Sequence, residues 1–125
     1  MRSQWAYSIY ADHVREAAES ALQFVAGMSF EAFAADRRTT YAAVRVLEII
    51  GEATKRLPEE IRALEPEVPW KKMAGMRDVI VHQYENVDLK VVWDTIHQDL
   101  PSLVPRMERL QRALEQQEDE EWERG

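Results

Sequence analysis

The segment RDVIVHQY, Arg77 to Tyr84, sets an arginine, a carboxylate, a histidine and a phenol within eight positions. Histidine has an ordinary pKa close to neutrality and can move protons, while arginine grips a phosphoryl group with a planar fork of donors. The pair suits phosphodiester cleavage. In RNA the adjacent 2′-hydroxyl is a nucleophile already in place, so proton transfer and stabilisation of a crowded, anionic transition state are enough. Other chemistries find less material. The chain has no cysteine, which removes thiolate nucleophiles, disulfides and cysteine zinc sites. A lone histidine beside Asp78 and Glu85 makes a poor metal site, so no metal or other cofactor is expected. No spacing supports a serine triad.

On a helix turning about 100° per residue, Arg77 and Tyr84 return to nearly one azimuth, and Asp78 and His82 are neighbours four apart. His82 is turned from Arg77 by roughly 140°. One straight helix therefore does not aim arginine, histidine and tyrosine at a single point, and a second copy of the chain across a two-fold axis is the simplest way to complete a site. The same residues also read as the polar side of a helix. Arg77 could pair with Asp78 or Glu85 at the surface, and Tyr84 could be a core ring with an exposed hydroxyl. Spacing alone leaves both readings open. His13 and His97 have no motif around them and read as structural, and Trp5, Trp70, Trp93 and Trp122 as core or interface rings.

Apolar residues recur at helical spacing around this segment, and nothing alternates with period two over a useful length. The pattern predicts a first long helix from Ser3 to about Met28, with Ile9, Val14, Ala17, Ala21, Leu22 and Val25 in one stripe. A short apolar turn at Phe30 and Phe33 follows, and Asp36 is placed to cap a second long helix reaching Leu57. In that helix Tyr41, Val44, Leu47 and Ile50 form the expected stripe, opposite Glu48 and Glu52. Pro58 can open a short helix to Leu64. Trp70 reopens the pattern toward Tyr84, and Asp88 caps a helix carrying Leu89, Val92, Trp93 and Ile96. Pro101 and Pro105 restart or kink the chain near Asp99, before a last stripe of Leu103, Met107, Leu110 and Leu114. The expected fold is all-α, a four- to five-helix up-and-down bundle.

At 125 residues, 46% hydrophobic and 31% charged, the chain reads as one soluble domain over residues 1–125. No apolar run is long enough to span a bilayer, and Met1 to Trp5 do not open a signal peptide. Together with the absence of cysteine this points to the cytoplasm. The net charge of −7 argues against nucleic acid, whose phosphates are usually met by excess lysine and arginine. Its distribution weakens that argument. Residues 115–125 alone carry a net −5, leaving −2 on the first 114, so a local basic site is compatible with the body of the chain. The acidic stretch itself reads as a solvated helix end or tail.

The segment resembles the signature of the HEPN domain, in which an arginine, a polar residue, three further residues and a histidine form a ribonuclease site. His82-Gln83-Tyr84 narrows the likeness to the HepT toxins of HepT-MntA toxin-antitoxin pairs. TYAAVRVLEIIGEATKRLP at 40–58, VPWKKMAGMRD at 68–78, and VDLKVVWDTI with DLPSL between 87 and 103 are similar to that subfamily too, in the same order. The resemblance implies an all-helical homodimer with two motifs facing across a cleft, and an RNA substrate such as tRNA or mRNA. Arg77 would polarise the scissile phosphate and His82 would be the general acid or base. Asp78 stands where the subfamily often has asparagine, and a carboxylate there repels phosphate unless Arg77 or a protonated His82 takes up its charge. Asp78 is expected to orient His82 and raise its pKa. Tyr84 would accept AMP from ATP, transferred by an MntA-like minimal nucleotidyltransferase antitoxin, and the modified toxin would be inactive. The competing expectation is a non-catalytic helical dimer that binds nucleotide or assists the nucleotidyltransferase.

Overall fold

The computed structural model describes residues 3–76, 78 and 87–124, with side chains from Tyr7 onward. Among these residues there are seven helices and no strand. Four carry the bundle: α1 (Ser3–Val25), α3 (Arg37–Lys55), α6 (Leu89–Gln98) and α7 (Leu100–Arg124). The other three, α2 (Phe30–Ala35), α4 (Glu59–Arg62) and α5 (Trp70–Ala74), are short connections, which is why the helices outnumber the four or five that periodicity suggests.

Each long helix buries a stripe spaced alternately by three and four residues, the repeat that keeps side chains on one face. On α1 the stripe is Ala11, Val14, Ala18, Ala21 and Val25; on α3 it is Thr40, Ala43, Leu47, Ile50 and Thr54; on α7 it is Leu103, Met107, Leu110 and Leu114. Alanine on α1 lets its neighbours come close, and α1 accordingly makes its most extensive contacts with both α3 and α7. Larger side chains fill the remaining volume, with Phe33, Leu47, Ile50, Met73 and Ile96 fully buried.

Two expected core residues lie outside. Ile9 is half exposed and Tyr41 is 65% exposed. In both helices the buried face is rotated toward the small residues, Ala11 on α1 and Thr40 and Ala43 on α3, because close helix packing selects volume as well as hydrophobicity. At the opposite edge Trp93 of α6 meets Phe33 of α2 at 5.3 Å between ring centroids and Phe30 edge-on at 5.9 Å. His97 stacks on Trp93 at 4.1 Å, and its Nδ1 lies 2.8 Å from the Trp93 carbonyl oxygen. Both contacts are made within α6.

The caps follow local chemistry. Ser29 Oγ accepts from Ala32 N–H at 3.1 Å, Asp36 from Thr39 N–H at 3.2 Å, and Asp88 from Lys90 and Val91 N–H at 3.0 and 3.3 Å. The Thr39 amide bond holds the Asp36 carboxyl below its usual range. After α1 the chain reverses at Gly27, whose φ of 76° is costly for any residue with a Cβ. Pro101 sits in the first turn of α7, while Pro105 is tolerated inside it. The acidic stretch continues α7 as helix to Arg124. One of its carboxyls, Glu118, is buried against α1, where it accepts a 2.9 Å bond from Ser8 Oγ.

Candidate active site

Of the residues expected to carry chemistry, Arg77, His82 and Tyr84 lie outside the described residues, and only Asp78 lies within them. Asp78 is helical and exposed, with Oδ1 4.0 Å from Lys55 Nζ at the end of α3. The structure thus defines the frame that enters and leaves the segment.

On the entering side, Met73 of α5 is fully buried and Met76, which immediately precedes Arg77, is 5% exposed. These two side chains peg the start of the segment into the core beside α3, the helix that α5 packs against. The approach to α5 is held by side-chain bonds to backbone oxygens at and beyond the ends of α3 and α4, where carbonyls have spare accepting capacity. Arg62 donates from Nε to Leu57 O at 2.8 Å and from Nη2 to Thr54 O at 3.0 Å. The Trp70 indole N–H is shared between Arg62 O and Glu65 O, both at 2.9 Å. Two ion pairs tie this elbow to the far end of the chain. Arg109 grips Glu65 with two donors, Nη2 at 3.0 Å and Nε at 3.4 Å, and Lys72 Nζ lies 2.6 Å from Asp99 at the junction of α6 and α7.

On the leaving side, Val87 packs partly buried against the core and Asp88 caps α6. The segment that begins at Arg77 and runs up to Val87 is therefore bounded at both ends by fixed points. Such bracketing is what a site needs, because catalytic groups work only when rigid elements set their positions.

Lys55 is brought beside Asp78 by the fold, a neighbour that the sequence does not suggest. It lies 23 positions before Asp78, so no local spacing couples them. Its charge next to Asp78 offsets part of the repulsion that an exposed carboxylate exerts on a phosphate. Among the described residues no three His, Asp or Glu side chains are placed to hold a metal ion. A groove of about 360 Å³ between α1 and α3 passes His13, Glu16, Val46 and Ile49 and continues to Tyr10 and Arg56. His13 meets the Tyr10 ring edge-on there, 6.2 Å between centroids. Among the described residues no helix is long and apolar enough to cross a membrane.

The described residues form an all-helical bundle that brackets the Arg77–Tyr84 segment, and comparison with known proteins specifies its class. Residues 14–110 match the family described as Ribonuclease HepT-like. The chain is 43% identical over 103 residues to a Thermococcus cleftensis protein named "Probable ribonuclease HepT", covering 82% of this chain and 94% of that one. It is also 43% identical over 101 residues to a "Putative RNase" of Caldanaerobacter subterraneus subsp. tengcongensis, covering 81% and 90%. A "Putative RNase" of Methanocaldococcus jannaschii is 39% identical over 95 residues, covering 76% and 82%. No solved structure matches the chain. The chain belongs to the HepT-like ribonuclease family, and its fold is an all-α bundle of the HEPN type.

Proposed function

We propose that this protein is a metal-independent endoribonuclease and the toxin of a toxin-antitoxin pair, working as a homodimer in the cytoplasm with residues 1–125 as a single domain. The observation that carries the reading is that the family match spans residues 14–110 and so takes in the segment RDVIVHQY, whose arginine, histidine and tyrosine spacing is the one that the resemblance rests on. Arg77 binds and polarises the scissile phosphate of an RNA substrate. One His82 takes the proton of the 2′-hydroxyl as its oxygen attacks phosphorus, and the second copy's histidine protonates the departing 5′-oxygen. Both bonds change with charge balanced by proton transfer, and no metal-bound water is required.

Tyr84 is the point of control. Its phenolic oxygen attacks the α-phosphorus of ATP on a minimal nucleotidyltransferase antitoxin, pyrophosphate leaves, and AMP remains on the ring. The anionic phosphate and nucleotide then occupy both the charge of Arg77 and the space meant for RNA. Expression of the intact chain should arrest growth, and Arg77→Ala or His82→Ala should abolish the arrest. Tyr84→Phe should stay toxic and resist the antitoxin, with no adenylyl mass added on incubation with ATP and that partner. Neutralisation of Tyr84→Phe by AMP transfer would remove Tyr84 from the account.

The net charge of −7 supports a second reading, a non-catalytic helical dimer that binds nucleotide or assists the nucleotidyltransferase. It requires that Arg77 and His82 variants leave cellular RNA as the intact chain does.

A further inference from the structure

An acidic protein that acts on RNA has to gather its cations locally, and the outer face of α3 does so. Arg37, Arg38 and Arg45 are exposed on its first turns, and none of the three makes an ion pair among the described residues. Many of the chain's other cations are engaged: Arg15 with Asp12 and Glu19, Lys72 with Asp99, Lys90 with Asp94, and Arg109 with Glu65. Of the nearest carboxylates, Asp36 is occupied mainly as the α3 cap, with a lesser charge interaction with Arg38, and Glu48 is half-buried one turn further on.

Among the arginines stands Tyr41, 65% exposed where periodicity predicts a core ring. Arg37 lies over that ring at 5.5 Å from its centroid and donates from Nη2 to the hydroxyl at 2.9 Å. The contact holds the ring in place while leaving most of its surface open. Arg38, Tyr41 and Arg45 follow at steps of three and four, so they share one face, with the two arginines about 10 Å apart along the axis. An open aromatic ring between cations is the arrangement with which proteins bind single-stranded nucleic acid, stacking a base and pairing the flanking phosphates.

We propose that Arg37, Arg38, Tyr41 and Arg45 form a docking face for single-stranded RNA, separate in sequence from the Arg77–Tyr84 motif; this rests on the reading of RNA as substrate. Self-association through this face is disfavoured, because a two-fold contact would set one copy's arginines against the other's.

The test is binding of a labelled single-stranded oligoribonucleotide to the full chain carrying Arg77→Ala and His82→Ala. On that background affinity is read whether or not the motif cleaves. Changing Arg37, Arg38 and Arg45 together to Gln should flatten the dependence of log affinity on log salt by about 2, the slope three phosphate contacts contribute on a single strand. Tyr41→Ala should weaken binding about tenfold, while Tyr41→Phe, which keeps the ring, should bind within about twofold of the parent. Circular dichroism and sedimentation check folding and association of each variant. Unchanged affinity and slope in the triple variant would overturn the proposal. So would a change in association state with RNA affinity intact, which would make the face an interface between copies. If the parent chain cleaves no RNA yet binds it through this face, the nuclease reading fails and the docking face stands.

Discussion

Asp78 is where residue identity and the expected family pattern part, since a carboxylate stands where the resembled subfamily often has asparagine, beside the arginine proposed to bind phosphate. The structure gives it Lys55 as a neighbour at 4.0 Å, with both side chains well exposed. Exposed pairs contribute about 0–1 kcal/mol, so Lys55 is not a stability device and Lys55→Ala should leave the melting temperature nearly unchanged. Its effect belongs to charge at the site. If Asp78 orients His82 and favours its protonated form, Asp78→Asn should move the histidine limb of the pH-rate profile to lower pH and slow cleavage. An identical profile and rate would remove Asp78 from the machinery. Nothing in the sequence couples Lys55 to Asp78, because they meet only through the packing of α5 on α3.

Among the elements, the elbow from α4 to α5 carries the segment, and beside its two ion pairs the bonds from Arg62 and Trp70 run to backbone oxygens. Trp70→Phe keeps the ring and loses the indole N–H shared by Arg62 O and Glu65 O. It should cost about 1–2 kcal/mol in chemical unfolding and should reduce activity through displacement of Met76, leaving Lys55 and Asp78 in place chemically. No loss of stability would mean the elbow is held by the ion pairs alone. The last helix makes a different prediction. Burial raises the Glu118 carboxyl above its usual pKa, opposed by the Ser8 bond and reinforced by Glu115, Asp119 and Glu121. A carboxyl whose folded pKa is raised stabilises the fold below its unfolded pKa, and that stability is lost as pH rises through the folded value. Glu118→Gln keeps an oxygen for Ser8 and removes the charge. It should melt higher than the parent at pH 7 and no higher at pH 4; a gain that is the same at both would show that charge is irrelevant there.

Across the whole molecule, much of the fold was legible because helices announce themselves locally. Asp36 and Asp88 cap where side-chain oxygen and spacing require, and the α7 stripe from Leu103 to Leu114 is buried as its period predicts. Legibility ended where partners decide. Tyr41 and Ile9 look like core residues until α1 and α3 pack through their alanines, and then the stripe turns and Tyr41 faces outward. Glu118 reads as part of a solvated acidic end until α1 covers it. Arg77 and His82 stand out in the sequence by type and spacing but lie outside the described residues, whereas the elbow that brackets their segment joins residues far apart in the chain and has no local pattern.

The chemistry proposed for Arg77 and His82 is cleavage of RNA without metal. It is tested most directly by incubating total cellular RNA with purified, unmodified protein in chelator, beside Arg77→Ala and His82→Ala. Fragments from the intact protein and none from either variant is the predicted result. Intact RNA from all three, with Tyr84 shown by mass spectrometry to be free of AMP, would contradict it and leave the non-catalytic dimer as the reading.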